Sequence, residues 1–87
     1  MKIKEGFVKR QVAGQNIVIA LGEANKSFNG MINLNDSGSL IWDMLQSGCE
    51  REDIISAMLE EYDVEKDIVE RDVDTFIESL KKANAIE

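Results

Sequence analysis

The spacing of apolar and polar residues changes period near residue 35. Before that point the pattern is strand-like. Residues 7–12 (Phe7-Val8-Lys9-Arg10-Gln11-Val12) alternate loosely, with Val8, Arg10 and Val12 on one face. Ala13-Gly14 is a turn signal. The run Asn16-Ile17-Val18-Ile19-Ala20-Leu21 is rich in β-branched side chains, which fit a pleated sheet better than a helix. The two runs predict a β-hairpin. Gly22 to Asn29, carrying Asn25, Ser27 and Asn29, reads as a loop. Residues 30–34 (Gly30-Met31-Ile32-Asn33-Leu34) then predict a short third strand, with Ile32 and Leu34 on one face and Met31 and Asn33 on the other.

After residue 35 the period becomes helical. Asn35 is a good N-cap for a helix over about 36–47, whose apolar stripe is Leu40, Ile41, Met44 and Leu45 with Trp42 on its flank. Gly48 stands where a helix-ending glycine belongs. Cys49 takes the N-cap slot of a second helix over about 50–61, with Glu52 in the capping-box position and Ile54, Ile55, Met58 and Leu59 as its stripe. A third helix over about 65–82 carries Val69, Val73, Phe76, Ile77 and Leu80 on one face. Lys81 and Lys82 complement its C-terminal dipole, and Asn84 can adopt the left-handed conformation that stops it. Ile86 is expected to fold back onto the core. The expected fold is α+β: a three-stranded antiparallel sheet followed by three helices, the economy of a winged helix-turn-helix domain with the sheet placed first.

Composition narrows the chemistry. Eighty-seven residues predict one domain, residues 1–87, and 44% apolar residues suffice for one small core. No apolar run approaches the roughly 20 residues of a membrane span. The first residues, Met1-Lys2-Ile3-Lys4-Glu5-Gly6, contain no apolar stretch of the kind a signal peptide needs. One cysteine allows no internal disulfide, which suits a reducing cytoplasm. The absence of histidine removes Ser-His-Asp and Cys-His dyads and the common zinc sites, so a catalyst would have to work from carboxylates alone; composition points toward a binding or scaffold protein, and no cofactor is expected. The net charge of −7 is uneven: residues 1–34 sum to +3 and residues 35–87 to −10. An acidic C-terminal half repels phosphate backbones and suits a basic peptide or a basic protein patch.

Several blocks resemble one family. They are Gly30-Met31-Ile32-Asn33-Leu34-Asn35, the run Gly38-Ser39-Leu40-Ile41-Trp42, the run Leu59-Glu60-Glu61-Tyr62-Asp63-Val64, and Asp72-Val73 followed by Phe76-Ile77 and Leu80. In this order and at this length, from about Phe7 to Ile86, the chain resembles the PqqD-like proteins, named after the D protein of pyrroloquinoline quinone biosynthesis. The same fold is the precursor-peptide recognition element of ribosomally made, modified peptides. The chain departs from quinone-pathway members at residues 28–31, Phe-Asn-Gly-Met rather than their Pro-Glu-Gly type of turn, and at Asn84, where the family usually has glycine. The first departure bears on the pathway and not on the fold. The resemblance implies a non-catalytic peptide chaperone or adaptor. It would bind the leader of a precursor peptide and present it to a modifying enzyme, either a radical S-adenosylmethionine enzyme or a peptidase–cyclase pair. The leader is expected to add as a strand to the third strand and to rest against the third helix.

The residues themselves support that mode. Residues 30–34 come last in the meander and should form a sheet edge without Pro, Lys or an inward charge to protect it, open to an extended peptide. Ile32 and Leu34 read first as core, and Met31 and Asn33 as the better contacts. On the third helix, Ile68, Asp72, Thr75 and Ser79 form a stripe beside the core face, and Phe76 is a core residue whose edge can reach the same groove. Ile68 reads either as groove wall or as boundary residue, and Asp72 either as partner of a basic leader residue or of a local cation. Trp42 reads as core packing, Cys49 as a helix cap, and Glu60-Glu61 as a solvated face. The alternatives are a DNA-binding winged helix and a structural subunit of a peptide-maturation complex. A recognition helix needs groove-reading Arg, Lys, Asn or Gln, whereas residues 65–82 carry six acids and four bases.

Overall fold

The computed structural model describes residues 1–28 and 30–87 and, of Ser27, the backbone. Asn29, part of the expected loop, lies outside the described residues. The order of elements is β1 (Phe7–Val12), β2 (Gln15–Ala20), α1 (Ala24–Ser27), β3 (Met31–Leu34), α2 (Asp36–Ser47), α3 (Arg51–Glu61) and α4 (Lys66–Lys82). The three strands form one antiparallel sheet in the order β1-β2-β3. The β1–β2 turn is the two-residue Ala13-Gly14, both at positive φ (52° and 80°), the twist that joins hairpin strands without splaying them.

Register decides which side chains enter the core. Phe7 lies opposite Ala20, Val18 opposite Ile32 and Asn16 opposite Leu34. Phe7, Val18, Ala20 and Leu34 are buried with the helical side chains Ile41, Trp42, Leu45, Ile54, Ile55, Met58, Val69, Val73, Ile77 and Leu80. Val8, Arg10, Val12, Met31 and Asn33 point to the other face, as the alternation requires. Lys9 sits on the inner face, but its stem carries the ammonium out to Ser39 Oγ (2.9 Å) and Asp43 Oδ1 (2.7 Å), tying sheet to α2.

Several expectations need correction. The stretch expected to be loop contains α1, a single turn held by Asn25 N–H to the Gly22 carbonyl and Lys26 N–H to the Glu23 carbonyl. Four residues are too few to show a period. Trp42 is not on the flank of α2 but in its buried stripe with Gly38, Ile41 and Leu45, while Leu40 and Met44 are only partly covered. Cys49 is not the cap of α3. Its backbone pairs with Met1: the Met1 ammonium donates to the Cys49 carbonyl (2.7 Å) and the Cys49 N–H to the Met1 carbonyl (2.9 Å). The helix therefore starts one residue later, capped by Glu50, whose N–H donates to Asp53 Oδ2 (2.9 Å); Asp53, not Glu52, holds the box position. The third helix starts after Glu65 rather than at it.

The other local signals hold. Asn35 caps α2, its Oδ1 accepting the Gly38 N–H at 2.8 Å. Gly48 ends α2 at φ 91°, and Asn84 takes φ 58° after α4. Ile86 is buried and bridges to Ile3, and Lys4 N–H donates to the Ala85 carbonyl at 2.8 Å, so the two ends of the chain close the core together.

Candidate functional site

β3 hydrogen-bonds to β2 on one side only, and its other side is the edge of the sheet. α4 lies beside that edge and runs antiparallel to it. Lys82 and Ala83 share a cavity with Met31 and Ile32 at the start of β3, and Phe76 shares one with Leu34 at its end. Three cavities that share lining residues run along this side of the molecule and together form a groove. One of about 450 Å³ is bounded by Phe28, Met31, Ile32, Asn33, Ser79, Lys82 and Ala83. One of about 370 Å³ lies among Asn35, Gly38, Asp72, Thr75, Phe76 and Ser79, reaching Ile41 and Met58 below. The third, about 600 Å³, opens past Asn33, Leu34, Asn35, Asp36 and Phe76 toward the β1–β2 turn. Asn33, Phe76 and Ser79 each belong to two of them.

The local causes are visible. Asn35 ends the strand and caps α2 at once, which turns the chain sharply and leaves Gly38 where a β-carbon would stand 3.3 Å from the Phe76 ring. That close approach seats Phe76 half-buried as the floor of the groove rather than as core. At the other end the Phe28 ring packs against Phe7, centroids 6.3 Å apart, and forms the wall beyond Met31.

Most of the predicted residues come together. Met31, Ile32, Asn33 and Leu34 form the strand, Phe76 and Ser79 of α4 share cavities with it, and Asp72 and Thr75 line the adjoining cavity beside Asn35 and Gly38. Met31 is 59% exposed and Leu34 buried, in line with the alternation. Gly30 precedes the strand and packs its backbone under the Phe28 ring. Ile68, 42% exposed, sits one turn before Asp72 and lines none of the three cavities. Sequence reasoning missed Phe28, Asn35, Gly38, Lys82 and Ala83. A signal for Lys82 existed: it continues the Asp72, Thr75, Ser79 stripe at helical spacing.

Some charges away from the groove are paired. Arg51 on α3 grips Asp74 of α4 through two bonds (2.6 and 3.0 Å) and approaches Glu70 at 3.6 Å. The hydrogen bond from Arg51 pulls the Asp74 carboxyl below its usual range and raises the guanidinium's own affinity for its proton. Among the described residues, neither Asp72 nor Lys82 has an opposite charge within 4 Å. Burial pushes the Cys49 thiol up, against the opposing effect of the N-terminal ammonium. Among the described residues no group of three His, Cys, Asp or Glu side chains is placed to hold a metal ion, and no helix is long and apolar enough to cross a membrane. What the groove offers is a row of backbone donors and acceptors beside a shallow, partly apolar trough.

Comparison with known proteins bears on the family and the fold. The family model of coenzyme PQQ synthesis protein D (PqqD) matches residues 16–86. The solved structure described as "TbiB1 in Complex with the TbiA(beta) Leader Peptide" is similar at 29% identity and a TM-score of 0.81, covering 100% of this chain and 95% of that one. That described as "Lasso peptide synthetase B1 complexed with the leader peptide" is similar in fold, at 24% identity and a TM-score of 0.76, covering 97% of this chain and 93% of the other. No curated protein matches the sequence.

Proposed function

Because the chain belongs to the PqqD family, matched over residues 16–86, we propose that it is a non-catalytic adaptor that binds the leader segment of a ribosomally made precursor peptide. The observation that carries this reading is the open β3 edge walled by α4. A leader in extended conformation adds as a fourth strand, and its backbone pairs with residues 31–34. Backbone pairing supplies affinity that tolerates many sequences. The cavities at Met31 and at Phe76 take alternate side chains of the added strand and supply selectivity. A similar chain whose structure is described with a leader peptide supports the same reading. The adaptor works in the cytoplasm, where precursors are made, and hands the leader to a modifying enzyme. A radical S-adenosylmethionine enzyme and a peptidase–cyclase pair are the two candidates, and the adjacent reading frames distinguish them.

Calorimetric titration with the leader of the precursor encoded beside this gene, together with amide shift mapping, tests the proposal. Shifts should cluster on residues 31–34 and 72–83. Shifts confined to residues 7–21 would place binding elsewhere. The winged-helix alternative fares poorly because the helix that would enter a groove carries Glu65, Asp67, Glu70, Asp72, Asp74 and Glu78. Duplex binding near physiological salt with a steep salt slope would revive it.

A further inference from the structure

The geometry points to a groove that reads charge order. We propose that the bound strand places a cation at Asp72 and an anion at Lys82, four or five residues apart, with the cation nearer its N-terminus. This rests on the peptide-binding reading above and adds what that reading leaves open, the chemical pattern of the peptide.

Three observations carry it. First, Asp72, Thr75, Ser79 and Lys82 form one stripe of α4, and every one of them lines a cavity of the groove. The two charges stand at its opposite ends, Lys82 beside Met31 and Asp72 beside Phe76. Second, both charges are unengaged, with no opposite charge within 4 Å among the described residues. Glu78, one turn before Lys82, does not pair with it, nor does Arg71 with its neighbour Asp72. Other exposed charges among the described residues, such as Arg10, Lys66 and Glu60, are also without a partner within 4 Å, and what sets Asp72 and Lys82 apart is their place along the groove. Third, Asp36 at the start of α2 lines the cavity that adjoins that of Asp72 across Phe76, so a second carboxylate belongs to the acidic end of the groove.

Spacing and direction follow from helix and strand geometry. Ten residues of α4 separate Asp72 from Lys82, about 15 Å at roughly 1.5 Å per residue. A strand rising about 3.4 Å per residue covers that in four or five steps, and at four both side chains leave the same face. The sheet is antiparallel at both existing pairings. A strand added in the same sense runs from the Leu34 end to the Met31 end, so it passes Asp72 first and Lys82 last. Exposed ion pairs of this kind change affinity by up to about fivefold each. A peptide with matched order should therefore bind about tenfold tighter than the same peptide with the two charges exchanged, and added salt should shrink the difference.

The test works with the natural ligand still unidentified. An mRNA-displayed library of random peptides of about 12 residues, enough for one strand, is selected against the parent chain and against the doubly reversed D72K/K82E chain. Both positions are exposed, and circular dichroism verifies the fold. Asp72→Asn and Lys82→Gln, selected separately, report each end without introducing a new charge. The expected result is enrichment of Lys or Arg followed four or five positions later by Asp or Glu on the parent, and of the opposite order on the reversed chain. If peptides are enriched and shift the amides of residues 31–34, yet show no charge order or the same order on both chains, the charge reading is overturned and the groove stands. If no enriched peptide moves those amides, the groove itself falls and the charge reading with it.

Discussion

Replacing Ser79 with tryptophan closes the groove and leaves the core alone. Ser79 is exposed on α4 and borders both the cavity of about 370 Å³ over Gly38 and that of about 450 Å³ at Met31. Its hydroxyl donates to the Phe76 carbonyl, 2.7 Å away and one turn back, a bond that solvent replaces when the hydroxyl is lost. Serine and tryptophan have similar helix propensities. Folding stability should therefore change by no more than about 0.5 kcal/mol, as at other surface positions. Binding should change far more. An indole lodged between α4 and β3 takes the space of a peptide side chain, and a large apolar side chain denied burial forfeits about 1.5–3 kcal/mol. The dissociation constant for the leader should rise about tenfold to 150-fold. Calorimetric titration with the synthetic leader reads the affinity, and a thermal melt followed by circular dichroism checks the fold. Ser79→Ala, which leaves the groove open, should bind as the parent does. A Ser79→Trp chain that melts with the parent and binds the leader as tightly would refute the groove.

Other predictions probe the frame. Leu45→Ala removes a fully buried side chain and should cost about 2–5 kcal/mol in chemical denaturation; a cost under about 1 kcal/mol would contradict the packing described. Ala13 holds a left-handed conformation in the β1–β2 turn, where asparagine is at ease, so Ala13→Asn should stabilise by up to about 1 kcal/mol and raise the melting temperature; a lower one would argue against the turn. Arg51 holds the Asp74 carboxyl below its ordinary range, so their pair stabilises the fold above the unfolded carboxyl's pKa, near 4, and that contribution vanishes as pH falls through the lower folded value. The melting gap between parent and Asp74→Asn should be widest near neutrality and close only in strong acid; a gap unchanged from about pH 7 to about pH 2 would contradict it.

How much of this the chain disclosed depends on how far each cause reaches. Asn35, Gly48, Asn84 and the Ala13-Gly14 turn act over three or four residues, and all four sit where the sequence places them. The stripes of α3 and α4 are equally legible, because a helix with one wet face must repeat its apolar residues at its own period. What failed was set from a distance. Cys49 is flanked like a cap, yet Met1, 48 positions away, claims its backbone and delays α3 by a residue. Trp42 sits one position off the stripe that the smaller residues suggest, and the core took the larger side chain. Phe76 belongs to the apolar stripe of α4 and is expected to bring an edge to the groove; the close approach of Gly38 leaves its ring half-buried there. Lys82 already has a sufficient local role at a helix C-terminus, which masks the signal that it also continues the Asp72, Thr75, Ser79 stripe.

The open edge raises a question that the groove's own residues do not answer. A strand of Met31, Ile32, Asn33 and Leu34 with one free side carries no proline, no lysine and no inward charge, the devices that keep edges from pairing with one another. Such protection would also bar a peptide, so it must come from elsewhere. Two features supply it. β3 is only four residues long, so two copies joined edge to edge gain few backbone bonds. The chain also carries a net charge of −7, and two copies brought together at their acidic helices repel. A leader peptide of low or positive charge feels no such repulsion and adds apolar contacts in the cavities that a second rigid β3 cannot reach. The proposed function thus expects charge on the helices, rather than on the strand, to leave the edge receptive to a peptide, and expects a chain that does not pair edge to edge in gel filtration.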